Sequence, residues 1–135
     1  MAEQKIRRQM RWYRHPETSA ESIPITKREF ESLPAHGQGA LLEALGRFKR
    51  GGERGAEVQK FHSEKGYPTI NELRVQVGSD PFRILFFQDS PVHHVMLIAV
   101  YKNQKKLPKP DKDRAIKRMK SWRDAARQSD KGTGA

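Results

Sequence analysis

Two tight turns constrain this chain more than any other feature. Between Glu72 and Tyr101 three runs of strand length follow one another, with too few residues between them for a crossover helix. Leu73, Val75 and Val77 alternate with Glu72, Arg74 and Gln76, the period of a half-buried strand. The turn GSDP leads into FRILFFQ, and the turn DSPV leads into HHVMLIAVY. Parallel pairing requires a crossover of a dozen or more residues, so three strands joined this closely form an antiparallel meander.

The flanking segments supply the helices. Residues up to about Tyr13, with Met10 and Trp12, permit a further strand, and a polar connector HPETSAESIPI follows. Thr26 with Glu29 three residues on matches a capping box, which predicts a short helix presenting Phe30 and Leu33 and ending at Pro34. Leu41, Ala44, Leu45 and Phe48 recur at spacings of three and four and predict a second helix, closed by Gly51-Gly52. Residues 51–70 are rich in glycine and charge and are expected to form a long connection. Pro110, Asp111 and Asp113 suit the first turn of a C-terminal helix whose apolar stripe is Ala115, Met119, Trp122 and Ala126. The expected fold class is α+β: a curved antiparallel sheet with two helices packed on one face and a C-terminal helix. One domain over residues 1–127 is expected, with 128–135 as a disordered tail.

Composition narrows the chemistry. The 135 residues contain no cysteine, which removes disulfide frameworks, thiolate metal sites and thiol nucleophiles together. No run approaches the ~18 apolar residues of a membrane span, and no apolar stretch follows the basic N-terminus as a secretory signal would demand. A cytoplasmic protein without membrane partners is expected. The net charge of +11 is concentrated at the ends. Residues 1–15 carry five Lys or Arg against Glu3, and residues 102–131 carry twelve against four aspartates, whereas 16–101 hold ten bases and eleven acids. An excess confined to two segments points to a surface that meets a polyanion; a solvated basic helix is the plainer alternative.

Within the meander, Arg83 interrupts an apolar run. Strand alternation places Phe82, Ile84 and Phe86 on one face and Arg83 on the other, and puts Arg74 on that same second face. An isolated guanidinium cannot be desolvated cheaply, so Arg83 requires solvent, a ligand or a partner such as a cross-strand Glu72. After the last strand, Tyr101, Lys102, Asn103, Gln104, Lys105 and Lys106 cluster phenol, ammonium and amide groups without an acid. That set suits phosphate and sugar contacts, or equally a solvated strand exit. His93 and His94 stand at the start of the last strand, where most histidines are simply exposed or hydrogen-bonded. No metal-ligand spacing, phosphate loop or Ser-His-Asp pattern is present, and no cofactor is expected.

The run ELRVQVGSDPFRILFF, followed by VYKNQKKLPKPDKDRAIKRMKSW, resembles HigB toxins of the RelE/ParE superfamily. The closest likeness is to toxins of actinobacterial toxin–antitoxin–chaperone systems and to phage-derived host-inhibition proteins. ITKREFESLPAHGQGALLEALGRF is similar to their paired helices, so the likeness spans about Ile23 to Arg123. The resemblance implies a RelE-like fold and metal-independent cleavage of mRNA on the ribosome. It also implies control by a cognate antitoxin, a helix-turn-helix protein, with a SecB-like chaperone acting on that antitoxin. By position it implies Arg74, Arg83 and Lys102 as catalytic residues, with Arg83 stabilising the phosphorane. Asn103, Gln104, Lys105 and Lys106 would contact RNA, joined by Lys117 and Lys120 on the C-terminal helix. His62 and Tyr101 are candidates for acid–base work, although alternation turns Tyr101 towards the helices. A non-catalytic host-inhibition protein and a ParE-like gyrase poison are the alternatives.

Overall fold

The computed structural model describes residues 7–16, 18, 21–50, 58–101 and 106–133, with side chains to residue 128. Five strands and three helices follow in the order β1 (Gln9–Trp12), α1 (Ile25–Glu31), α2 (Ala35–Lys49), β2 (Val58–His62), β3 (Ile70–Val77), β4 (Asp80–Gln88), β5 (His93–Tyr101) and α3 (Lys109–Thr133). The predicted meander is β3-β4-β5. Val77 pairs with Asp80 across a two-residue turn, whose first position, Gly78, takes a φ of +63° that favours glycine.

The sheet order is β1-β5-β4-β3-β2, and the sheet is mixed, not wholly antiparallel as the sequence predicts. β1 runs parallel to β5, with Gln9 beside His93 and Trp12 beside Met96. The two helices between β1 and the meander supply the long connection that parallel pairing requires. A second correction concerns residues 51–70. They contain β2, an edge strand antiparallel to β3 whose alternation is broken by a register shift between Lys60 and His62. That shift is why no period-2 signal marks it. Residues 51–57 lie outside the described part.

The sheet is covered on both faces, which explains the apolar run of β5 and that of β4, interrupted only at Arg83. Phe30, Leu41, Leu45, Leu73, Phe82, Ile84 and Phe86 form one core layer beneath α1 and α2. Ile70, Leu85, Phe87, Leu97 and Val100 form the other, against Ala115 and Met119 of α3. Gly37 lets the first turn of α2 rest on β4, because a Cβ there would overlap the Phe82 ring. α3 continues to Thr133, so residues 128–133, expected to be a disordered tail, are helical.

Thr26 does not cap α1; Pro24 precedes the helix, which has no side-chain cap. Pro34 does not end α1 either, but occupies the position before α2. Thr26 serves the sheet instead. β1 covers the edge of β5 only to Met96, leaving the following backbone groups without a strand partner. The fully buried Thr26 hydroxyl donates to the Leu97 carbonyl (3.0 Å), to which Arg118 Nη1 also donates (2.7 Å). The Ala99 N–H donates to Glu29 (3.3 Å). Glu29 also accepts both Arg118 nitrogens, at 3.0 and 2.8 Å. Side chains from α1 and α3 thus finish an edge that backbone pairing leaves open, as buried amide groups require.

Candidate nucleic-acid interface

The register of the meander places the two arginines side by side. Arg74 of β3 and Arg83 of β4 are direct cross-strand partners, both on the face opposite α1 and α2. Two like charges at this spacing repel, and a neighbouring acid offsets them. Glu72, two residues before Arg74 on the same face, brings Oε2 to 3.6 Å from Arg83 Nε. Its other oxygen accepts from Gln59 of β2 (3.0 Å). The salt bridge that the sequence left open as an alternative is therefore present.

The two arginines differ in access. Arg83 is 1% exposed, whereas Arg74 is half-buried. Burial pulls the Arg83 guanidinium below its ordinary value, Glu72 acts in the opposite sense and Arg74 adds to the lowering. The group expected to grip a phosphate is closed over, and its neighbour is the less buried one. Burial cannot be read from a strand period, which assigns faces but not what covers them.

The remaining predicted residues divide. Lys102, Asn103, Gln104 and Lys105 lie outside the described residues; Lys106 is exposed. Tyr101 packs beneath the helix pair, with its ring edge against Phe82 (4.8 Å) and its hydroxyl donating to Asp80 (2.6 Å). That bond raises the phenol's pKa, and the ring stands on the face away from Arg83. His62 pairs with Ile70, four residues along β3 from Arg74, or about 13 Å at the usual strand rise. Neither acid–base candidate is brought to the arginine pair.

On α3, Lys117 is exposed, and its neighbours are engaged with the protein itself. Lys120 binds Glu64 (2.8 Å) and lies over the Tyr67 ring (5.1 Å), and the Glu64 contact raises its pKa. Arg118 holds Glu29, Arg123 holds Asp89 (2.8 Å), and Arg114 holds Asp111 (3.1 Å). Much of the helix's positive charge is thus engaged by acids of α1, of the loops beside the sheet and of the helix itself, and Lys120 is less available to RNA than the sequence predicts. Gln59 was missed by sequence reasoning, whereas Glu72 was offered there only as a salt-bridge partner for Arg83.

A small α+β domain with paired arginines on one sheet face and a basic C-terminal helix defines a class: a small basic α+β module. Comparison with known proteins makes this specific. Residues 28–120 match the family described as phage derived protein Gp49-like (DUF891). Over 107 residues the chain is 34% identical to a protein named probable endoribonuclease HigB1, found in two strains of Mycobacterium tuberculosis. The match covers 79% of this chain and 81% of the relative. The chain belongs to the Gp49-like family and is a HigB-like member of the RelE toxin superfamily. Among the described residues no helix is long and apolar enough to cross a membrane.

Proposed function

We propose that this protein is the toxin of a toxin–antitoxin pair, an endoribonuclease that cleaves translated mRNA on the ribosome and is silenced by a cognate antitoxin. The observation that carries this reading is the Arg74–Arg83 pair on one face of the sheet, in a chain 34% identical to a probable endoribonuclease. A SecB-like chaperone acting on the antitoxin belongs to the same proposal.

Metal-independent cleavage needs little covalent chemistry from the protein. The ribose 2′-oxygen bonds to the adjacent phosphorus, the P–O5′ bond breaks, one proton leaves the 2′-hydroxyl and one reaches the 5′-oxygen. The products are a 2′,3′-cyclic phosphate and a 5′-hydroxyl. What the protein supplies is in-line positioning and positive charge where the phosphorane becomes more negative. Arg74 is the less buried of the two arginines and would hold the non-bridging oxygens, for which its planar fork is suited. Arg83 would act behind it, fixing Glu72 and adding positive potential from a site of low dielectric. Lys102 and Lys105 to Lys106 would extend the grip along the backbone. Neither His62 nor Tyr101 is assigned the proton transfers.

The test is induction of wild type and Arg74→Ala in a host lacking the antitoxin, with mRNA 5′ ends mapped. New ends inside translated frames, reduced at least about 100-fold in the variant, are expected from loss of one transition-state contact. Growth arrest without new ends would refute the nuclease. It would favour the non-catalytic host-inhibition alternative, for which the near-complete burial of Arg83 speaks.

A further inference from the structure

At the sheet edge formed by β1, a groove between that strand and the C-terminal half of α3 takes no part in the proposed cleavage. It measures about 480 Å³, and its lining includes Arg11, Trp12 and Arg14 on the strand side and Trp122, Ala125 and Ala126 on the helix side. β5 and β4 separate β1 from Arg74 on β3. Asp89, also in the lining, lies six residues beyond Arg83, roughly 20 Å at the usual strand rise. The groove and the arginine pair are therefore separate surfaces.

Its walls are largely apolar and open to solvent. Trp12, Trp122 and Ala125 are half-buried, whereas Ala126 and Pro16 are exposed. Each indole is braced from behind, Trp12 by the Phe30 ring (5.3 Å) and Trp122 by the Tyr13 ring (6.1 Å). The volume falls within the ~300–1,000 Å³ of ordinary binding pockets.

The charge around it is one-sided. Asp89 is the acid of the lining, and its carboxylate already accepts from Trp122 Nε1 (3.2 Å) and Arg123 Nη1 (2.8 Å). Arg11 is exposed and meets no acid among the described residues. Arg14 stands beside it, fixed by donation from Nη1 to the Ser22 carbonyl. Both belong to the first fifteen residues, whose five bases against one acid the cleavage reading leaves unexplained.

These features select the occupant. A second copy of the chain would set one net charge of +11 against another. An RNA strand would call for polar groups to meet base edges and sugars, but the helix wall offers two alanines and an indole whose N–H is engaged. An apolar pocket with a cationic rim instead matches an apolar side chain flanked by carboxylates. We propose that this groove is a docking site for an acidic segment of a partner protein. One aliphatic or aromatic anchor of that segment sits between Trp122 and Ala126, and a neighbouring carboxylate pairs with Arg11.

The experiment follows the indole N–H signals of the ¹⁵N-labelled full chain, since both of its tryptophans line the groove. The Trp122 signal is assigned by its loss in Trp122→Phe. Four nine-residue peptides are titrated, each carrying one Leu, Ile, Met or Phe among aspartates and glutamates. At least one is expected to shift the Trp122 signal. Replacing its anchor by serine, or its acids by asparagine and glutamine, is expected to weaken binding at least about tenfold. Arg11→Glu, at an exposed position that leaves the fold intact, is expected to weaken it by a similar factor, and Ala126→Phe to block it by filling the groove. No shift with any of the four peptides would overturn the proposal. Equal binding of the serine peptide would reduce it to diffuse charge attraction and overturn it too. Tighter binding of a short 2′-O-methyl RNA at the same signal would assign the groove to nucleic acid, and a shift on concentrating the protein alone would assign it to a second copy; either result overturns it. Arg74→Ala is expected to bind the peptide as wild type does, so failure here and failure of the nuclease reading are separable.

Discussion

Glu29→Ala is expected to be among the most damaging substitutions outside the apolar core. The carboxylate accepts both Arg118 nitrogens and the Ala99 N–H, and Arg114 Nε lies 3.6 Å away. Removing it leaves Arg118, whose side chain is 10% exposed, with the Leu97 carbonyl and the Tyr13 ring (5.5 Å) but no acid. Breaking a buried ion pair from one side costs ~3–5 kcal/mol, and because the Glu29 side chain keeps 21% exposure the lower end, ~3 kcal/mol, applies here. For a chain of this length that corresponds to a fall in Tm of roughly 10 °C. The assay is urea unfolding followed by tryptophan fluorescence, on Glu29→Ala, Arg118→Met and the double variant. Replacing both charges removes the orphaned cation, so the double variant is expected to be more stable than the two single losses added together, by ~1–3 kcal/mol. A loss below about 1 kcal/mol in Glu29→Ala, or strict additivity in the double variant, would refute the idea that this cluster completes the β5 edge.

Further expectations rest on other parts of the structure. His94 carries a pKa of about 4 in the folded chain against an ordinary 6.5 once unfolded, so the unfolded chain binds more protons between those values. Its contribution to stability is complete above pH 6.5 and is lost as pH falls towards 4, by up to ~3 kcal/mol, and denaturation of His94→Phe across that range should lack this component. Gly37→Ala should cost ~1–3 kcal/mol by thermal melting, since the new Cβ overlaps the Phe82 ring in a packed layer. Lys117→Glu should weaken ribosome binding and flatten its salt dependence, because one exposed cation is replaced by an anion. Lys120→Met should change the salt slope less, its ammonium being already held by Glu64.

Local pattern carried much of the architecture. The period-2 alternation of Leu73, Val75 and Val77, the brevity of GSDP and DSPV, and the three-and-four spacing of Leu41, Ala44, Leu45 and Phe48 are properties of neighbouring residues. They defined the meander, α2 and the α+β class, and alternation alone assigned Arg74 and Arg83 to one face. Tyr101 was likewise turned to the helices by alternation, and it packs there.

Everything that depends on residues far apart in the chain was decided by tertiary structure. The parallel docking of β1 on β5 joins segments some eighty residues apart, and no local period encodes a strand's direction relative to a distant partner. Thr26 carries a cap's residue type, but its hydroxyl is drawn to Leu97, seventy-one positions away, because an uncovered strand edge demands a donor more than a helix end beside Pro24 does. β2 was hidden because its register shift breaks the alternation that marks strands. The closure over Arg83 and the burial of His94 arise from how layers stack on the sheet. Alternation states which face a side chain occupies; only the packed layers state whether water reaches it.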